Sequence, residues 1–215
     1  MTVSAPALGL VLLALYGLLT VGLRMAVQLR RTGSTGFKGL HGASGFMERL
    51  GGSLFALAVV LCVAGTVLQL TDALSALDAL DGEGARILGG ALAALGIATV
   101  SFAQFAMADE WRIGVDPAER TELVTGGPFA LVRNPIYAAM IPSFIGIALL
   151  APNAVTIAGA VLLMVALELQ TRLIEEPYLI RVHGERYTVY ATRVGRFLPG
   201  IGCLRLDGER RYRSN

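Results

Sequence analysis

Two short stretches hold the residues whose types and spacing could do chemistry: "GGPFALVRNPIY" at Gly126–Tyr137 and "LELQTRLIEEPYLIRVHGERYTVY" at Leu167–Tyr190. In the first, Pro135 suits the opening turn of a helix, where a missing backbone N–H is tolerated, and Asn134 is placed to cap it. A helix that starts there turns its free N–H groups toward an anion, beside Arg133 and with Tyr137 in the first turn. Taken alone, the same residues also describe a capped helix edge with a snorkelling arginine and an interfacial tyrosine. In the second stretch, Glu168, Arg172, Glu175, Glu176 and Leu179 recur at a spacing that predicts one helix face. Glu168 precedes Arg172 in the favourable order for a helical ion pair, so a salt-bridged surface is the plain alternative. Glu168 nevertheless falls in the last turn of an apolar run, where an ionisable group is costly unless it faces a protein interior or a cavity. Pro177 predicts a bend or a restart just after the glutamate pair.

The elements that must position these residues follow from composition. Hydrophobic residues make up 54% of the 215 and charged residues 16%, against about 25% charged in an ordinary soluble domain. With a mean hydropathy of +0.63, the chain reads as an all-α integral membrane protein. A net charge of +2 gives no case for a nucleic-acid partner. Cys62 and Cys203 read as free thiols, and their spacing suggests no metal site. Apolar runs near 6–27, 51–70 and 87–107 are each long enough to span a bilayer. A further run from Ile136 to Leu167 is broken at Pro152 and Asn153, which predicts a tight hairpin of two short helices and about five spans in all. The first run lacks a basic leader and is longer than a signal-peptide core, so it reads as a span. In the third, Gly89, Gly90, Ala94, Gly96 and Ala98 predict close helix packing. Gly39, Gly42 and Gly45 read as linker.

Arginines and a lysine crowd the loop after the first span and the segment after the last, while acidic residues fill the loop after the second. That bias predicts an N-terminus outside and a cytoplasmic C-terminal helical cap. The arginine- and alanine-rich composition points to a bacterial plasma membrane. The expected organisation is helices and loops over 1–86, a core over 87–200 and a basic tail over 201–215. If the hairpin forms, Arg133, Asn134 and Tyr137 oppose Arg172, Glu175 and Glu176 at one membrane face, a polar pocket with both signs of charge beside lipid.

Together, "ELVTGGPFALVRNPIYAAMI" and "RLIEEPYLIRVHGERYTVYATRVGRFLP" resemble the isoprenylcysteine carboxyl methyltransferase family, which has phospholipid N-methyltransferase relatives. The resemblance covers roughly 87–200 and lies in an ordered set of motifs: an L-V-T-x-G-x-[YF] lead-in, R-H-P-x-Y, a helical hairpin, a glutamate pair, F-G-x-x-Y-x-x-Y and a closing R-x-P. It implies a membrane methyltransferase that uses S-adenosyl-L-methionine, with no metal, on a lipophilic small-molecule or prenyl-like acceptor drawn from the lipid bilayer. It places the cofactor at Thr121, Glu122, Leu123, Val124, Phe129, Arg133, Asn134, Pro135, Ile136, Tyr137, Glu175 and Glu176. Arg172 matches the arginine before the pair, the candidate for an anionic group on the acceptor, and with Tyr137 forms the expected catalytic set. Tyr187, Tyr190 and Arg193 are expected to close a lid. Asn134 stands where the family has histidine, and "VHG" at 182–184 departs from the usual phenylalanine-glycine. An amide can still exchange hydrogen bonds but cannot transfer a proton. Transfer to a carboxylate, already ionised at neutral pH, needs no base. A reductase of the sterol and steroid group, using NADPH, and a non-catalytic membrane subunit are the competing readings.

Overall fold

The computed structural model describes residues 4–36, 45–111 and 122–205, and Thr121 and the linker glycines Gly39 and Gly42 lie outside them. The architecture is all-helical: α1 (Ala5–Thr32), α2 (Phe46–Leu70), α3 (Glu83–Ala106), α4 (Pro135–Leu150), α5 (Ala154–His183) and α6 (Glu185–Arg193). Among the described residues the only extended pairings are isolated bridges, Val132 with Gly195 and Leu198 with Ile201. α1, α2, α3 and α5 are long and apolar enough to cross a membrane, and α4 is a shorter apolar helix. The hairpin is present, but its second arm is not short. α5 continues without a break from Ala154 to His183.

A π-helical stretch at Thr171–Glu175 explains that continuity. Pro177 lacks the N–H that an α-helix needs, and the wider turn just before it lets the rod continue where a break was expected. α1 contains a similar stretch at Gly17–Leu23.

Packing follows from small residues. In a bilayer no hydrophobic force drives helices together, so close backbone approach must supply the contact energy. α3 buries Gly89, Ala93, Gly96, Val100 and Ala103 on one face, against α4. A Cβ on Gly146 of α4 would lie 2.5 Å from the Gly89 carbonyl oxygen and 2.6 Å from the Ala93 nitrogen. Ala94 and Ala98, grouped with this seam by composition, face outward because they fall on the opposite side of the helix. α2 meets α5 in the same manner, and a Cβ on Gly159 would sit 2.8 Å from the Cys62 nitrogen. Thus α4 packs chiefly on α3 and α5 chiefly on α2, with the hairpin contact secondary. Met140, Phe144, Leu163 and Leu167 fill the shared core.

The hairpin turn is locked by Asn153. Its Oδ1 accepts from the backbone N–H groups of Val155 and Thr156, both at 3.0 Å, capping α5. Its Nδ2 donates to the Gly65 carbonyl and to Gln69 Oε1, both at 2.9 Å, which fixes the turn to α2.

Replacing Gly146 by valine should destabilise the bundle by about 1–3 kcal/mol through overpacking against backbone. Ala94→Val on the outward face should stay within about 0.5 kcal/mol. Thermal unfolding of the two detergent-solubilised variants measures the difference.

Candidate functional site

The start of α4 and the last turns of α5 meet at one end of the bundle, and the segment after α6 folds over them. Arg133 is 5% exposed and does not snorkel. Its Nη1 donates to the carbonyls of Ala191 at 2.7 Å and Val194 at 2.8 Å, and its Nη2 donates to Gly202 O at 3.0 Å and Glu176 Oε1 at 2.6 Å. Glu176, also buried, receives a second arginine: Arg196 Nε reaches Oε1 at 2.8 Å and Nη2 reaches Oε2 at 2.9 Å. This fork matches the carboxylate plane, the geometry in which such pairs are strongest. Bonding to Glu176 holds Arg196 above the usual guanidinium value despite partial burial.

Glu175 takes a different partner. The Tyr137 hydroxyl donates to its Oε1. The two glutamates therefore diverge, although an undisturbed α-helical spacing placed them on one face with Glu168 and Arg172. Neighbours on a helix already point about 100° apart, and the π-helical turn at Thr171–Glu175 shifts both glutamates relative to Glu168 and Arg172. Arg172 donates through Nε to Glu168 and remains 56% exposed at its side chain. Glu168, 37% exposed, also lies 3.8 Å from Arg196 Nη1. A chain of alternating charge results: Arg172, Glu168, Arg196, Glu176 and Arg133.

Asn134 occupies the cap position of α4, but its side chain makes no capping hydrogen bond. Its backbone N–H donates to the Arg196 carbonyl at 3.1 Å, and its Nδ2 points to the same oxygen at 3.4 Å. The loop segment has displaced the cap. Pro135 is buried, and Ile136 and Tyr137 are half-buried against the core.

The lead-in segment lies on the flank of α6. Leu123 and Thr125 face Glu185, Arg186, Val189, Tyr190, Arg193 and Val194 across a surface groove of about 530 Å³. Tyr190 donates its hydroxyl to the Phe129 carbonyl at 2.5 Å, and burial pushes its phenol up to about 12, so it remains a donor at neutral pH. Tyr187 is buried beneath it, the rings 6.1 Å apart. Glu122 is exposed, its N–H donating to Glu110 Oε2 at 3.2 Å, and Val124 is half-buried. The structure thus joins Tyr137 to Glu175 and Arg133 to Glu176, sets Leu123 opposite Tyr190 and Arg193, and leaves Arg172 on the outer surface. Gly184 links α5 to α6 with φ of 54°, a conformation that favours glycine.

Arg196 was absent from the expected site. The signal was the closing arginine motif, which here reads "RFLP" with one residue more than the family pattern. Among the described residues no group of three or more His, Cys, Asp or Glu side chains could hold a metal ion.

A polytopic helical membrane protein, with a charged and tyrosine-bearing site where two antiparallel helices open, is the class that these features define. Residues 85–186, just under half of the chain, match the sequence model of the phospholipid methyltransferase family. The match makes membrane methyl transfer the activity class at issue. Comparison with curated proteins gives no match.

Removing Arg133 breaks a buried network, taking a donor from Glu176 and from the carbonyls of Ala191, Val194 and Gly202. Arg133→Ala should therefore cost about 3–5 kcal/mol, while Arg172→Ala, in an exposed pair, should cost no more than about 1 kcal/mol. Unfolding in sodium dodecyl sulfate titrations reads both.

Proposed function

We propose that the chain is a membrane methyltransferase that transfers a methyl group from S-adenosyl-L-methionine to a lipophilic acceptor at the cytoplasmic membrane interface, with its N-terminus outside. The family match supports the class of reaction. The observation that carries the site assignment is the Tyr137 hydroxyl bound to the Glu175 carboxylate, beside the ion network and inside the matched segment.

The residues fit such a cofactor. Glu175 offers a carboxylate to its cationic groups, and Tyr137 orients that carboxylate through its hydroxyl. Asn134 offers an amide next to the start of α4. Leu123, Tyr190 and Arg193 give an apolar, aromatic and cationic wall suited to a nucleoside. When bound, the sulfonium supplies a methyl carbon that the acceptor attacks in line while the carbon–sulfur bond breaks. What the protein contributes is alignment, which can account for several kcal/mol of a barrier. Arg133 and Glu176 act in this reading as the frame of the site, since each bonds to several protein groups. Arg172, half-tied to Glu168 and open to the exterior, is positioned for the anionic end of an acceptor such as an isoprenylcysteine-like carboxylate.

An amine acceptor is the second reading. Its support is the carboxylate at Tyr137, which favours a cationic or amine-bearing group, together with the engagement of Arg172 by Glu168.

Calorimetry with S-adenosylhomocysteine should show binding to the purified chain and none to Glu175→Ala. Absence of heat with folded wild-type protein rejects the methyltransferase reading, and an NADPH titration then examines the reductase alternative. Labelled-methyl transfer to a prenylcysteine carboxylate, compared with ethanolamine phospholipid vesicles, decides between the two acceptor classes.

A further inference from the structure

We propose that Arg196 is a positioning residue of this site, although it lies outside the family-matched segment 85–186. The inference rests on the methyltransferase reading and deepens it.

Arg196 serves both halves of the site at once. Through its carbonyl it receives the backbone N–H of Asn134 at 3.1 Å and faces the Asn134 Nδ2 at 3.4 Å. Through its guanidinium it grips both oxygens of Glu176 at 2.8 and 2.9 Å. The loop that carries it is built for this. Arg196 N donates to Ile201 O at 2.8 Å, Ile201 N donates to Leu198 O at 3.1 Å, and Arg133 N donates to Gly195 O at 2.8 Å. Gly195 has no room for a side chain, since a Cβ there would sit 2.0 Å from the Leu198 carbonyl oxygen. The backbone is thereby fixed at the point where it meets α4.

The consequence is an allocation of the two adjacent glutamates. With Arg196 and Arg133 both on Glu176, that carboxylate has its charge balanced within the protein, and Glu175 is the member that engages Tyr137. Without Arg196, Glu176 keeps a single arginine, and half of its bonding capacity is freed next to Glu175. Two carboxylates then compete for the Tyr137 and Arg133 donors, while the main-chain contacts of residue 196 with Asn134 remain. Arg196 acts through these neighbours and is not placed on the reacting atoms.

The test uses the full chain in lipid nanodiscs, with S-adenosylhomocysteine as the probe. Affinity by calorimetry and Tm are measured for wild type, Arg196→Gln, Arg196→Lys, Glu176→Gln and the double variant Glu176→Gln/Arg196→Gln, all well below each Tm. Arg196→Gln should weaken binding by at least about tenfold, as a misplacement near a site does. Arg196→Lys, which keeps the charge but not the fork, should recover part of that loss. Binding by the double variant should match Glu176→Gln alone within about twofold, because the two residues act as one unit. A purely structural arginine would lower Tm and leave the affinity of the folded protein unchanged, and that result overturns the assignment. If Arg196→Gln does not fold, wild-type affinity in both Arg196→Lys and Glu176→Gln overturns it. Loss of binding in the double variant well beyond Glu176→Gln rejects the route through Glu176. No binding by wild type overturns this inference together with the methyltransferase reading, whereas wild-type binding with unchanged variants overturns only this one.

Discussion

A buried carboxylate shared by two arginines holds the functional end of the molecule together. Glu176 is 6% exposed, and an ionised carboxyl at that depth is unstable unless nearly every lone pair has a donor. Arg133 comes from the loop before α4, Glu176 from the end of α5 and Arg196 from the segment after α6. The three are distant in sequence, so the pairing closes long loops, and none of them can be satisfied unless all three segments dock. The exposed Arg172 and Glu168 extend the chain of alternating charge toward the surface, where solvent weakens each contact. Structural weight is therefore concentrated at the buried end of this chain of charge.

Local sequence sets how the carboxylates divide. In a regular α-helix, neighbours differ by about 100°, and Glu175 and Glu176 would share a broad polar face with Glu168 and Arg172. Pro177 prevents that regularity, because the helix must resolve a missing donor without breaking. The π-helical turn at Thr171–Glu175 is the resolution. It keeps α5 continuous and shifts the glutamate pair relative to Glu168 and Arg172, so that Glu175 meets Tyr137 and Glu176 meets the arginine pair. A constraint on one backbone nitrogen thus sets the register in which the two glutamates meet their different partners.

The helices were legible in the sequence because membrane burial writes itself into composition: long apolar runs predicted α1, α2 and α3, and Asn153 with Pro152 marked the turn. The meeting of Tyr137 with Glu175 and of Arg133 with Glu176 was legible as well, since a hairpin brings the start of one helix beside the end of the next. What was lost was register and depth. A snorkelling arginine and a buried one look identical in sequence, and Arg133 is buried only because the carbonyls of Ala191, Val194 and Gly202 converge on it. Arg24 repeats the lesson in α1, where an arginine inside an apolar run is 1% exposed and lies 4.7 Å from the centre of the Trp111 ring. Asn134 read as a cap because its neighbours said helix start, and nothing local announced that a remote loop would offer a competing carbonyl. The same remoteness hid Arg196, which gains its meaning only from partners at 134 and 176.

These constraints bear on the substitution of asparagine for the family histidine. A reaction limited by alignment asks a residue at this place to hold a geometry, and an amide with a fixed acceptor does that without exchanging a proton. Asn134 is fixed by the Arg196 carbonyl, Arg196 by Glu176, and Glu176 by Arg133 on the residue directly before Asn134. The circuit closes on itself within one end of the bundle. At the other end, Asn153 ties the hairpin turn to α2, so α4 and α5 cannot slide past one another easily. With both ends pinned and small residues seating α4 on α3, the distance between Tyr137 and Glu175 becomes a property of the whole bundle. Under the methyltransferase reading, that rigidity replaces proton chemistry as the protein's main contribution, and the exchange of histidine for asparagine is compatible with function.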